Sequence, residues 1–79
     1  MEEWKKAYCI AFGNNLKLLI KKHNTDVATI ASIGNIEYKQ IYRILNAENE
    51  PKITSLLPVA KGLGIPVMAL FDFEFSMPK

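Results

Sequence analysis

At 79 residues with a single cysteine, the chain is one domain that must stand on packing alone, since it can form no internal disulfide and has no His/Cys cluster with metal-ligand spacing. Its 49% hydrophobic and 23% charged content is that of a compact globule rather than a disordered tail, and a net charge of +2 offers little bulk attraction for nucleic acid. The charged N-terminus MEEWKK and the short apolar runs predict neither a signal peptide nor a membrane span, and so a cytoplasmic protein.

The first predicted helix begins as early as Glu3. Trp4, Tyr8, Phe12, Leu16, Leu19 and Ile20 recur at steps of three and four, one stripe of an amphipathic helix, with Lys17, Lys21 and Lys22 on the other side. Gly13 is a tolerated weak point. His23 and the lysines of the last turn complement the helix dipole, and Asn24 suits a left-handed cap.

Residues 26–45, DVATIASIGNIEYKQIYRIL, predict two short helices joined by a tight turn. Asp26 is the N-cap of the first, and Val27, Ile30 and Ala31 form its inner side. Gly34 and Asn35 break it, with Asn35 apt for the left-handed region. The next helix runs from about Glu37 to Leu45. Ile36, Ile41, Ile44 and Leu45 point inward, leaving Tyr38, Lys39, Gln40, Tyr42 and Arg43 outward. A helix held by its partner, with bases and hydrogen-bonding groups on one exposed face, has the geometry that reads a DNA major groove.

A polar loop, NAENEPK, leads to a fourth helix carrying Ile53, Leu56, Leu57, Val59, Ala60 and Leu63 and stopped by Gly64. Pro58 either kinks this helix or lies in its first turn, with Thr54 or Ser55 as the cap; the late start is favoured. Pro66 opens a short fifth helix through about Leu70. The tail FDFEFSMPK alternates Phe71, Phe73 and Phe75 with acids at a strand-like period of two.

In their order and spacing, four fragments resemble the phage-repressor (Cro-like, XRE) helix-turn-helix family: FGNNLKLL, IASIGNIEYKQIYRI, EPKITSLLPVAKGLGIP and ALFDFE. The resemblance spans residues 12–73. It implies an all-α, compact five-helix bundle of the lambda-repressor-like DNA-binding type, a single domain over residues 1–79, with helix 3 in the major groove of double-stranded DNA. Base contacts then fall on Tyr38, Lys39 and Arg43, with Gln40 near the groove: Arg43 and Lys39 can donate to guanine, Gln40 can pair with adenine, and Tyr38 can meet a thymine methyl or a phosphate. Phosphate contacts fall on Lys17, Asn14 or Asn15, Asn46 and Lys52.

Three departures stand out. Val27 replaces the glutamine that commonly touches DNA at the start of helix 2, and Asp26 puts an acid where Ser or Thr usually caps. Ile20 and Leu45 replace an Arg–Glu pair. Exchanging both partners of a buried ion pair for hydrophobes is often neutral, whereas losing one costs about 3–5 kcal/mol, so Ile20 and Leu45 are expected to touch.

Cys9 suits a small core position, since no base stands near it in sequence, and His23 suits a cap. Lys5, Lys6, Lys21 and Lys22 read as a solvated face, Trp4 and Tyr8 as core or dimer packing; Glu48 and Glu50 have no visible role. For the aromatic tail, residues 71–79, two readings stand. Phe71 and Phe73 fold back onto the core, or Met68, Phe71, Phe73 and Phe75 form a homodimer contact, as a two-fold operator requires. The expectation is a dimeric transcriptional repressor with no catalysis, no cofactor, no membrane and no evident small-molecule ligand. The alternative is a protein-interaction module, antitoxin-like or adaptor, on the same bundle.

Overall fold

The computed structural model describes residues 2–78, so Met1 and Lys79, the ends of the expected domain, lie outside the described residues. The described chain is all-helical: α1 (Glu3–Lys22), α2 (Val27–Gly34), α3 (Tyr38–Leu45), α4 (Ile53–Leu63) and a 3₁₀ helix (Val67–Phe71). The fifth element is thus a short 3₁₀ helix and not an α-helix. Pro66 stands just before it as the N-cap residue, and the Ala69 N–H bonds to its carbonyl and the Asp72 N–H to that of Ala69, three residues back in each case. Among the described residues no helix is long and apolar enough to cross a membrane.

Each α-helix ends in the same way. Asn24, Asn35, Ala47 and Gly64 take positive φ angles of 52, 55, 54 and 71°, one after each helix. The N–H that follows each of them reaches back over the helix end: Thr25 to the Ile20 carbonyl, Ile36 to Ala31, Glu48 to Arg43 and Ile65 to Ala60, at 3.0–3.1 Å. Left-handed caps of this kind satisfy the last free carbonyls and turn the chain sharply. Asn and Gly reach that conformation easily; Ala47 is the costly one, since a Cβ there crowds the following carbonyl by roughly 1–2 kcal/mol.

The apolar stripe of α1 reaches the core from Tyr8 onward: Phe12 and Leu16 are buried and Tyr8, Leu19 and Ile20 pack half-buried against it, while Trp4, expected at the head of the stripe, is exposed because the core does not extend to the first turn. The core itself joins Phe12 and Leu16 to Ile30, Ile41, Ile44, Leu45, Leu56, Val59, Ala60, Leu63 and Leu70. Leu45 belongs to this cluster and Ile20 packs against it, so both lie at one core.

Three glycines, Gly13, Gly34 and Gly62, set the closest helix crossings, Gly34 against the Pro58 carbonyl. A Cβ on Gly13 would stand 2.7 Å from the Leu45 carbonyl oxygen, and one on Gly62 would stand 2.5 Å from that of Ile30. Gly13 is therefore the point where α1 and the end of α3 meet backbone to backbone, a packing role and not merely a weak spot in the helix.

α4 starts early, at Ile53 with Lys52 as its N-cap, so Pro58 lies inside the helix and not in its first turn. The late start expected from the sequence is wrong. Pro58 removes one bond to Thr54 and by itself costs about 3 kcal/mol in a helix interior. Leu56, Val59, Ala60 and Leu63 are buried along the helix, while the added first turn is closed by the Ser55 N–H, which donates to the Lys52 carbonyl at 2.9 Å. Gly34 of α2 also lies directly against the Pro58 carbonyl, so the proline sits within a helix crossing. Ile53 and Leu57, expected on the apolar side of this helix, remain exposed.

The tail forms no strand among the described residues. Phe73 and Phe75 close over Tyr8, with ring centroids 5.3 and 4.9 Å away, and Phe71 meets Phe12 edge-on at 5.1 Å. Past Phe71, which stays exposed, the period of two lays the chain across α1 with Asp72 and Glu74 outward and Phe73 and Phe75 half-buried.

Candidate nucleic-acid interface

α2 begins where Asp26 accepts the Thr29 N–H at 2.8 Å, the N-cap bond expected from its side chain. That bond holds the Asp26 carboxyl below the usual carboxylate range, so it is ionised at neutral pH. Val27, next in the chain, is half-buried and packs on the core. Asn35, left-handed, then turns the chain, and Ile36 anchors the turn from its half-buried side.

α3 divides cleanly. Ile41, Ile44 and Leu45 are buried, while Tyr38, Lys39, Gln40, Tyr42 and Arg43 are all exposed. Tyr38 and Tyr42, one turn apart, meet edge-to-face with centroids 6.1 Å apart, which stiffens the outer face of the helix. The far end of α3 is held from α1: Lys6 Nζ donates to the carbonyl of Ala47, the left-handed residue after the helix. An ammonium group there also complements the negative end of the helix dipole. Lys6, read from the sequence as part of a solvated face, thus anchors the end of α3.

Beyond α3, Gln40 and Arg43 share a polar hollow of about 240 Å³ with Lys52, Asn49, Glu50 and Ser55. Lys52, expected on phosphate, is thus brought beside the two side chains expected on bases. Asn49 and Ser55 carried no signal of their own in the sequence, because only the return of the chain after Pro51 puts them next to Arg43. Asn46 is exposed as the C-cap residue of α3. Lys17 and Asn14 are exposed on α1.

Asn15 is engaged elsewhere. Its Nδ2 donates to the carbonyls of Leu70 at 3.0 Å and Ala69 at 3.4 Å, fastening α1 to the 3₁₀ helix. Its role is structural, and it is left out of the interface. The tail also separates the residues expected at a dimer contact. Phe73 and Phe75 are half-buried against Tyr8, whereas Met68, at 78% exposure, and Phe71, at 44%, remain open.

No protein-family model, curated protein or solved structure matches this chain.

Proposed function

We propose that the chain is a sequence-specific double-stranded DNA-binding protein of the phage-repressor helix-turn-helix type, acting as a dimeric transcriptional repressor that occludes a promoter. The observation that carries this reading is the outer face of α3. Tyr38, Lys39, Gln40 and Arg43 stand exposed on a short helix whose other face is locked into the core and whose two ends are fixed, by the Asn35 turn and by Lys6. A face that was merely solvated would carry more Glu and fewer rings. Arg43 and Lys39 suit guanine, Gln40 suits adenine, and Tyr38 suits a thymine methyl or a phosphate. Lys17, Lys52, Asn14 and Asn46 supply phosphate contacts. Met68 and Phe71 are the residues left for a contact between two copies.

The test is duplex binding against salt, with a preferred site first selected from a random pool. The logarithm of affinity should fall with the logarithm of salt concentration by about 0.9 for each phosphate neutralised. Arg43→Ala should cost about 1–3 kcal/mol on the preferred site and relax base preference there, while Lys17→Ala should weaken all sequences alike and reduce the salt slope by about 1. A second reading, a protein-interaction module, draws on the modest net charge of +2 and on the exposed Ile53 and Leu57. Absence of any duplex binding at low salt would decide for it.

A further inference from the structure

An apolar groove of about 320 Å³ opens between the start of α1, the loop before α4 and the 3₁₀ helix. Its walls are the rings of Trp4, Tyr8, Phe12 and Phe71 together with Ile44 and Leu56. A volume of this order falls within the range of small-molecule sites, which join apolar walls to a few placed polar groups.

Two charges stand on its rim, Lys5 and Glu50, and they are not equivalent. The Lys5 ammonium lies 3.9 Å from the Glu2 carboxylate and 5.6 Å from the centre of the Trp4 ring, so it already has an anion and a π face. Glu50 has no cation within ion-pair distance among the described residues, although Arg43 and Lys52 line the neighbouring hollow with it. Its charge is felt inside the groove, at Cys9: burial first, and Glu50 second, hold that thiol above its ordinary value, against the opposing pull of Lys6. Aromatic walls with an unpaired carboxylate at the mouth are the chemistry that takes up an organic cation, because ring faces attract positive charge and pay little to desolvate a quaternary ammonium.

We propose that this groove binds small lipophilic cations of the aryl-alkylammonium class, its rings holding the apolar body and Glu50 facing the charge. Lys5 then acts as the internal competitor, since its ammonium occupies a ring face that an incoming cation would use. Ile44 gives the groove a wall on α3, so an occupant also buttresses that helix. The proposal does not rest on the DNA-binding reading, although the groove shares Ile44 and Glu50 with the hollow beside Arg43.

Trp4 is the sole tryptophan and lines the groove, so its emission reports occupancy directly. Titration with benzyltrimethylammonium should give a saturable change in that emission, with weaker responses to the neutral isostere neopentylbenzene and to phenylacetate. Glu50→Gln should weaken binding of the cation about five- to tenfold, and Lys5→Met should tighten it by about threefold. Ile53→Lys places a cation at the lip on a side chain that is 78% exposed, so it should abolish binding while leaving the helical circular dichroism unchanged. Equal or tighter binding of phenylacetate, indifference to Glu50→Gln, or no saturable response would overturn the proposal. So would a Trp4 emission that shifts with protein concentration alone, which would mean that a second copy fills the groove.

Discussion

Gly13 lies against the backbone of Leu45, so close that a methyl group on it would stand 2.7 Å from the Leu45 carbonyl oxygen and 2.9 Å from that of Ile44. The α1–α3 contact is therefore a crossing of two backbones, and it sets the level at which the outer face of α3 is presented. Both neighbours are backbone atoms, which cannot swing aside as a flexible side chain can.

Substitution at this point should reverse the usual sign for a helix interior. Glycine to alanine in an open helix gains about 1 kcal/mol. Gly13→Ala should instead lose about 1–3 kcal/mol net, as overpacking does, and lower the melting temperature by several degrees. Urea denaturation with an unchanged slope would measure it; a stabilised variant would show that α1 and α3 can slide apart freely.

Neighbouring asparagines should behave differently. Asn15→Ala removes the donor to Leu70 and Ala69 and leaves their part-buried carbonyls short of a partner, a loss of about 1–3 kcal/mol. Asn14→Ala, at an exposed position, should stay within about 0.5 kcal/mol. If DNA is bound, Asn15→Ala should leave the salt slope unaltered, which a phosphate-contacting residue would not do.

The Asp26 cap supplies a pH dependence of known sign. Its folded-state pKa is lowered, chiefly by the Thr29 N–H, so its contribution is present above the unfolded carboxylate pKa and is lost as pH falls through the folded value. Asp26→Ala should unfold at a lower urea concentration than the parent at neutral pH, and the gap should close below about pH 4. Asp26→Asn, which also caps, should keep much of the parent's stability and show less of this acid sensitivity. A gap that is constant from neutral pH to acid would remove the ionised cap from the account.

For the tail, the rings divide into those used within the chain and those left open. Phe73→Ala should cost about 2–4 kcal/mol in monomer stability, because it empties a contact with Tyr8 and Phe12. Met68→Glu, at an exposed site, should leave stability nearly unchanged and abolish self-association measured by sedimentation. Self-association that survives Met68→Glu would move the proposed dimer contact off the 3₁₀ helix.

Residues 26–45 were the most legible part of the chain. The Asp26 cap, the left-handed Asn35 and the inward Ile41, Ile44 and Leu45 are all local matters, decided within one or two turns by side-chain reach and by a period of 3.6. The end of α1 at His23 and Asn24 was readable for the same reason. Less legible was whatever depended on partners far along the chain. Neither Asn14 nor Asn15 announces which of them will meet Leu70, and Lys6 does not announce Ala47, 41 residues away.

What the sequence by itself determined, then, is the presence of the four α-helices, the Asp26 cap, the left-handed Asn24 and Asn35, and the chemistry of the outer face of α3. Each follows from hydrogen bonds and apolar spacing that close over a few residues. What only the tertiary structure decided is where Pro58 falls, why Gly13 must be glycine, which asparagine is structural, and how the tail lies. These turn on long-range burial and on backbone crossings, whose energies of a few kcal/mol outweigh local propensity. Local rules favoured a late start for α4; the helix instead runs from Ile53 through Pro58, whose carbonyl lies in the crossing with Gly34 of α2.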